Sequence, residues 1–209
     1  MTIDLDLNAK AAIKFLNELD VEIRAMFKAL TPLIESIAEQ AKVPSLHRIK
    51  AQNPSLLDVC GNGSVYTQFL SNFALVLKQG TRASSKPAAY LSIQVSLDTP
   101  PGEPLLLFVG LWTTEIESLT DDGWDPNYFL QPDNDWELQG NFLLVESESK
   151  HNEWFNRGWA FAVPLKALRT AIDLQKGVID PLIDVLKMEK TPEAILDAHK
   201  QYLYQVAAA

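Results

Sequence analysis

The chain has 209 residues, 47% of them hydrophobic and 22% charged, enough to bury roughly 70% of the unfolded surface, so one domain over 1–209 is expected to fold without covalent staples. A single cysteine, Cys60, excludes an intramolecular disulfide framework and a cysteine-rich zinc module. The net charge of −9 is unevenly spread: residues 1–86 balance at +2, residues 150–209 at +1, and residues 87–149 carry twelve acids and no Lys or Arg. That middle field repels nucleic-acid phosphates and attracts cations or basic protein surfaces.

The opening "MTIDLDLNAK" places two acids before its first lysine and has no apolar run of the signal-peptide kind. No stretch approaches the roughly 18 consecutive apolar residues of a membrane helix. A cytoplasmic protein without a membrane segment is expected.

From Asn8 to Leu30 the residues Ala12, Ile13, Leu16, Leu19, Ile23, Met26, Phe27 and Leu30 recur at three and four, the mark of a long amphipathic helix. Thr31-Pro32 then reads as an N-cap and first-turn proline, opening a second helix to about Lys42. "KVPSLHRIKAQNPSLLDVCGNG" reads as irregular. Ser64 caps an expected third helix with the stripe Val65, Phe69, Phe73, Val76 and Leu77, ending at Gly80.

Past the turn-rich "GTRASSKP" the period changes to two. In "YLSIQVSLD" Leu91, Ile93, Val95 and Leu97 alternate with Tyr90, Ser92, Gln94 and Ser96, a half-buried strand whose polar face is expected to be wet. "LLLFVGLW" (105–112) is apolar throughout and predicts a central strand covered on both sides. "FLLVES" and "GWAFAV" predict two more. Helices then follow Pro164, Asp180-Pro181 and Thr191-Pro192. The fold class is α+β: an antiparallel meander of about four to five strands (residues ~88–163), flanked by N-terminal helices (8–80) and C-terminal helices (164–206).

No zinc motif, nucleophile elbow, Walker loop or dinucleotide fingerprint is present. His199 falls on an apolar helical stripe and reads as a core histidine, and Cys60 as a small buried thiol.

Chemistry concentrates in "PDNDWELQGNFLLVESESK" (132–150). "GN" at 140–141 is a two-residue hairpin signal. Such a turn pairs Gln139 with Phe142, Trp136 with Val145, Asp135 with Glu146 and Asp133 with Glu148, crowding Asp133, Asp135, Glu146 and Glu148 on one face. Like charges opposed in a ladder repel, so that cluster calls for a cation: a divalent metal, Lys150 or a basic ligand. A three-residue turn, "QGN", shifts the register by one and sends Asp133 and Glu148 to opposite faces.

P-D followed after fourteen residues by E-S-K resembles the signature of the PD-(D/E)xK metal-dependent nucleases. The resemblance implies Asp133 and Glu148 as ligands of Mg or Mn, with Lys150 stabilising charge on the phosphate. It covers fewer than twenty residues. The chain departs from that family after Lys150, where only "HNEWFNR" precedes the next strand in place of a helix.

All five tryptophans, Trp112, Trp124, Trp136, Trp154 and Trp159, fall between 112 and 159, interleaved with Asp121, Asp122, Asp125, Asp133 and Asp135. Indole faces beside carboxylates suit a cationic guest or a basic protein surface. Trp112 and Trp159 sit in apolar strands and are expected to pack; Trp124, Trp136 and Trp154 are expected near the surface. The sequence therefore points to a protein without catalysis and without a cofactor. It binds a basic macromolecular partner, in the manner of an immunity or inhibitor protein, through Asp121, Asp122, Trp124, Asp125, Tyr128, Trp136 and Trp154. The alternative is a metal-dependent hydrolase of the nuclease type described above.

Overall fold

In the computed structural model, which describes residues 5–43, 45–52, 68–79, 82–97, 102–113, 136–146 and 157–206, the chain enters on one long helix, α1 (Leu5–Gln40), with Pro32 inside it. The two helices expected here are one. Thr31 caps nothing: its hydroxyl donates back to the Phe27 carbonyl at 2.9 Å. Pro32 and Lys28 are exposed, so the carbonyl that loses its ladder bond to Pro32 faces solvent. Meanwhile Ile23, Phe27, Leu30, Ile34 and Ile37 form one buried stripe across the proline. Burying Ile34 and Ile37 is worth about 3 to 6 kcal/mol, which offsets the ~3 kcal/mol penalty of a proline in a helix interior.

Eight strands follow: β1 (Leu46–Ala51), β2 (Gln68–Gln79), β3 (Arg82–Ala83), β4 (Ala89–Ser96), β5 (Leu106–Trp112), β6 (Trp136–Gln139), β7 (Leu143–Glu146) and β8 (Trp159–Pro164). They make an antiparallel sheet in the order β1-β2-β4-β5-β8-β7-β6, with the two-residue β3 paired to β2. Five strands lie within 88–163, as expected. The three others come from the region expected to be helical or irregular. Inside the expected meander the order is not sequential either, because β8 inserts between β5 and β7 and pushes the β6–β7 hairpin to the sheet edge.

Where it is described, the expected third helix is the strand β2, its expected start at Ser64 and Val65 and its end at Gly80 lying outside the described residues, and the reason is physical. Phe69, Phe73 and Leu75 enter the core beneath α1, while Leu70, Ala74 and Val76, pointing the other way, are buried too. A strand covered on both faces loses its alternation, and its phenylalanines at a spacing of four then mimic a helical stripe. The same two-sided burial corrects the expectation for β4: Ser92 and Gln94 are 3% and 1% exposed, not wet.

Past β8 comes a 3₁₀ turn (Leu165–Ala167), then α2 (Ala171–Leu174), a π-helical stretch (Gln175–Ile179), α3 (Asp180–Lys187) and α4 (Pro192–His199). Thr170 and Asp173 form a capping box that starts α2. Asp180-Pro181 does not open a separate helix; the π-helical turn runs directly into it. The wider turn suits a proline that can neither donate to the preceding turn nor tolerate its carbonyl. Thr191-Pro192 does start α4, with Thr191 Oγ1 accepting from the Ala194 N–H at 3.3 Å. These helices and α1 cover one sheet face with Leu174, Val178, Leu182, Leu186 and Ile195.

On the other face a second apolar cluster, Leu106, Phe108, Leu144, Ala160 and Ala162, is packed by Tyr204 and Val206. This C-terminal segment is stitched down: the Tyr204 N–H bonds to the Ala162 carbonyl and the Val206 N–H to the Asn141 carbonyl, both at 2.9 Å. The Tyr204 hydroxyl donates to Glu103 Oε2 at 2.7 Å. Burial first, then that hydrogen bond and the carboxylate charge, push the phenol up to about 12.

Two measurements check this architecture. Pro32→Ala should stabilise the fold by about 1 to 3 kcal/mol in urea unfolding, because the residue lies inside a continuous exposed helix surface; a loss of stability would mean that a helix begins at Pro32. Tyr204 has a raised folded pKa, so its contribution is complete below pH 10.0 and is lost as pH rises through about 12. In a spectrophotometric titration one phenol should ionise near that value and vanish in Tyr204→Phe; ionisation of Tyr204 at its ordinary pKa would contradict the contact.

Candidate functional site

Two glycines stand where bulky residues surround them. A Cβ on Gly110, in β5, would lie 3.1 Å from Cζ2 of Trp112, and a Cβ on Gly158, just before β8, would lie 2.9 Å from Cη2 of Trp136. Each glycine is thus a bed on which an indole lies. The two rings meet edge to face, with centroids 5.7 Å apart and planes at 67°, a geometry worth about 0.5 to 1.5 kcal/mol beyond the area buried. Trp112 Nε1 donates to Ser92 Oγ at 2.7 Å, and the Ser92 hydroxyl reaches the Gly110 carbonyl at 3.4 Å. Both tryptophans remain half-buried.

The hairpin that carries Trp136 has a register neither expected turn produces. Gln139 pairs with Leu143 and Trp136 with Glu146, around the three residues Gly140, Asn141 and Phe142. Gly140 and Asn141 both take positive φ, 57° and 60°, the conformations that "GN" supplies readily. Phe142 is drawn out of the ladder because its ring is fully buried in the main core. The turn is also clamped from outside, with Gly140 against Pro192 and the Asn141 carbonyl held by Val206.

The consequence falls on the carboxylates. Glu146 stands opposite Trp136 rather than Asp135, and Glu137 rather than Trp136 faces Val145. Glu146 Oε2 accepts from the Gly158 N–H at 2.9 Å, while the Glu146 N–H returns a bond to the Gly158 carbonyl at 3.0 Å. Its side chain thus fastens β7 to the start of β8. Asp121, Asp122, Trp124, Asp125, Tyr128, Asp133, Asp135, Glu148, Lys150 and Trp154 lie outside the described residues, as does Cys60. Among the described residues no group of three or more His, Cys, Asp or Glu gathers as metal ligands would.

Trp112, expected to pack at the end of its strand, belongs with Trp136. The signal was Gly110 inside "LLLFVGLW": a glycine amid large apolar residues marks close approach of another group. Trp159 is buried as expected, stacked on Phe161 with planes 8° apart.

A second gathering of polar groups joins α3 to α4. Asp184 Oδ2 accepts from Lys190 Nζ at 2.7 Å and lies 2.9 Å from His199 Nε2. Burial acts to raise the Asp184 pKa, but Lys190 and His199 outweigh it and hold the carboxyl below its ordinary value of 3.8. No hydroxyl or thiol is bonded to this pair among the described residues, so it acts as a staple between helices. His199 fits its expected place, half-buried on an apolar stripe.

Comparison with protein-family models, with curated proteins and with solved structures returned no match. No helix among the described residues is long and apolar enough to cross a membrane.

Gly158→Ala should displace the Trp136 ring and destabilise the protein by about 1 to 3 kcal/mol, with loss of the near-UV circular dichroism of the indole pair. The double variant Gly158→Ala/Trp136→Leu should recover part of that stability by removing the clash. An unchanged spectrum in Gly158→Ala would show that Trp136 does not lie on Gly158.

Proposed function

We propose that the chain is a non-catalytic binding protein, of the immunity or inhibitor type, that captures a basic macromolecular partner through the acidic, tryptophan-rich segment between 115 and 154. The observation that carries this reading is segregation of charge and aromatics along the chain. Residues 87–149 hold twelve acids and no Lys or Arg, and all five tryptophans lie within 112–159. Indole and carboxylate groups attract the same cationic side chains, and a strongly negative surface speeds encounter with a positive one.

Two further observations support it. The hairpin within this segment carries the terminal strand of the sheet, β6, which among the described residues pairs only with β7. Its other edge can add a partner's extended backbone. Glu137 and Glu146 are exposed on that hairpin, and Trp136 is half-buried beside them. Asp121, Asp122, Asp125, Trp124, Tyr128 and Trp154 would then supply the charge and the rigid anchors.

Binding to a Lys/Arg-rich peptide array tests the reading. The wild type should bind selected basic sequences, lose about tenfold or more in affinity between low and physiological salt, and lose a similar factor in Asp121→Asn/Asp122→Asn/Asp125→Asn. Trp124→Ala should weaken binding without changing the unfolding midpoint. Equal binding by the wild type and the triple variant would remove the acidic segment from the interface.

A further inference from the structure

We infer that a cavity between the hairpin end of the sheet and helices α3 and α4 binds a small carboxylate bearing an apolar group of about benzene size. The cavity measures about 120 Å³, close to the ~150 Å³ of an aliphatic-lined cavity that admits benzene. Its apolar wall is made by Val145, Trp159, Val185 and Ile195, all buried. Its charged lining consists of Arg157 and Lys190, with no carboxylate. In a chain of net charge −9, a lining with a guanidinium and no carboxylate of its own favours an anion.

One cation in this lining lacks what a carboxylate supplies. Arg157 is half-buried and makes no hydrogen bond or ion pair with any described residue. Lys190 differs, being neutralised by Asp184 at 2.7 Å. Trp159, 3% exposed, is a wall of the recess and a reporter of its occupancy, its own Nε1–H being sealed from solvent. A half-buried guanidinium beside apolar surface, without a partner among the described residues, favours the arrival of a counter-charge. A ligand that only accepts hydrogen bonds fits the guanidinium, whose planar fork holds a carboxylate by two parallel bonds.

The walls are built to last. Pro192 at the start of α4 packs against Gly140 of the hairpin turn, which fixes the distance across the recess. Met188 lines it as well, exposed and in a left-handed conformation with φ 53°. A flexible thioether there adapts to the shape of the apolar group. The inference rests on the lining of this recess and not on capture of a basic partner.

Titration of the intact protein with benzoate, benzyl alcohol and acetate, followed by ¹H–¹⁵N spectra, tests the inference. The indole signal of Trp159 is assigned by its disappearance in Trp159→Phe. Benzoate should shift that signal saturably, with a Kd on the order of 1 mM or below. Benzyl alcohol, which lacks the charge, and acetate, which lacks the ring, should each bind at least about tenfold more weakly. Arg157→Gln should weaken benzoate about tenfold or more and leave benzyl alcohol unchanged, with Arg157→Lys intermediate because it keeps the charge but loses the fork. No saturable shift with benzoate, equal affinity for benzyl alcohol, or full benzoate affinity in both Arg157 variants would each overturn the assignment.

Discussion

Strands β2, β4, β5 and β8 are buried on both faces, and the rest of the molecule is arranged around the need to cover them. An antiparallel sheet commonly leaves one face to water; over these four strands neither is left. The stripe of α1 from Ile23 to Ile37, with the C-terminal helices, closes one side. On the other, Tyr204 and Val206 pack over Leu106, Phe108 and Ala162. Double coverage explains why β5 has no alternating pattern, why Ser92 must hydrogen-bond Trp112, and why α1 runs unbroken through Pro32.

The legible parts of the fold were those where a single physical cause dominated. β4 announced itself because its two faces differ in composition. α4 was legible because Thr191 and Pro192 cap it as any exposed helix start is capped. β2 was not, since two-sided burial erased the alternation, and phenylalanines four apart then matched a helix as well as a strand. The hairpin was legible as a hairpin from "GN", yet its register was set by something local turn chemistry does not contain, the pull of the Phe142 ring into the core. One residue of slip moved Trp136 from opposite Val145 to opposite Glu146.

For the site, the acids and tryptophans were visible as a concentration along the chain. What composition could not reveal is that glycines decide where two of the rings lie. The cavity over Trp159 was invisible for a different reason. Its walls come from the hairpin, β8, α3 and α4, and neither Arg157 nor Trp159 belongs to any motif. Only the tertiary arrangement sets a guanidinium with no partner among the described residues beside an apolar recess.

The segment around Tyr204 has a consequence for the order in which the molecule can be completed. It joins Ala162 of β8, Asn141 of the hairpin turn and Glu103, which lies 101 residues earlier. While the chain emerges from the ribosome, β5 and β8 are present before the residues that pack on this face of them. The apolar surface formed by Leu106, Phe108 and Ala162 therefore lacks Tyr204 and Val206 until the stretch around residue 206 is free to dock. Nascent chains held back at this stage present a sticky sheet to whatever is near, and contacts of such long sequence separation form slowly. Chaperone demand during synthesis is thus concentrated in the interval between translation of β8 and release of the residues that follow α4.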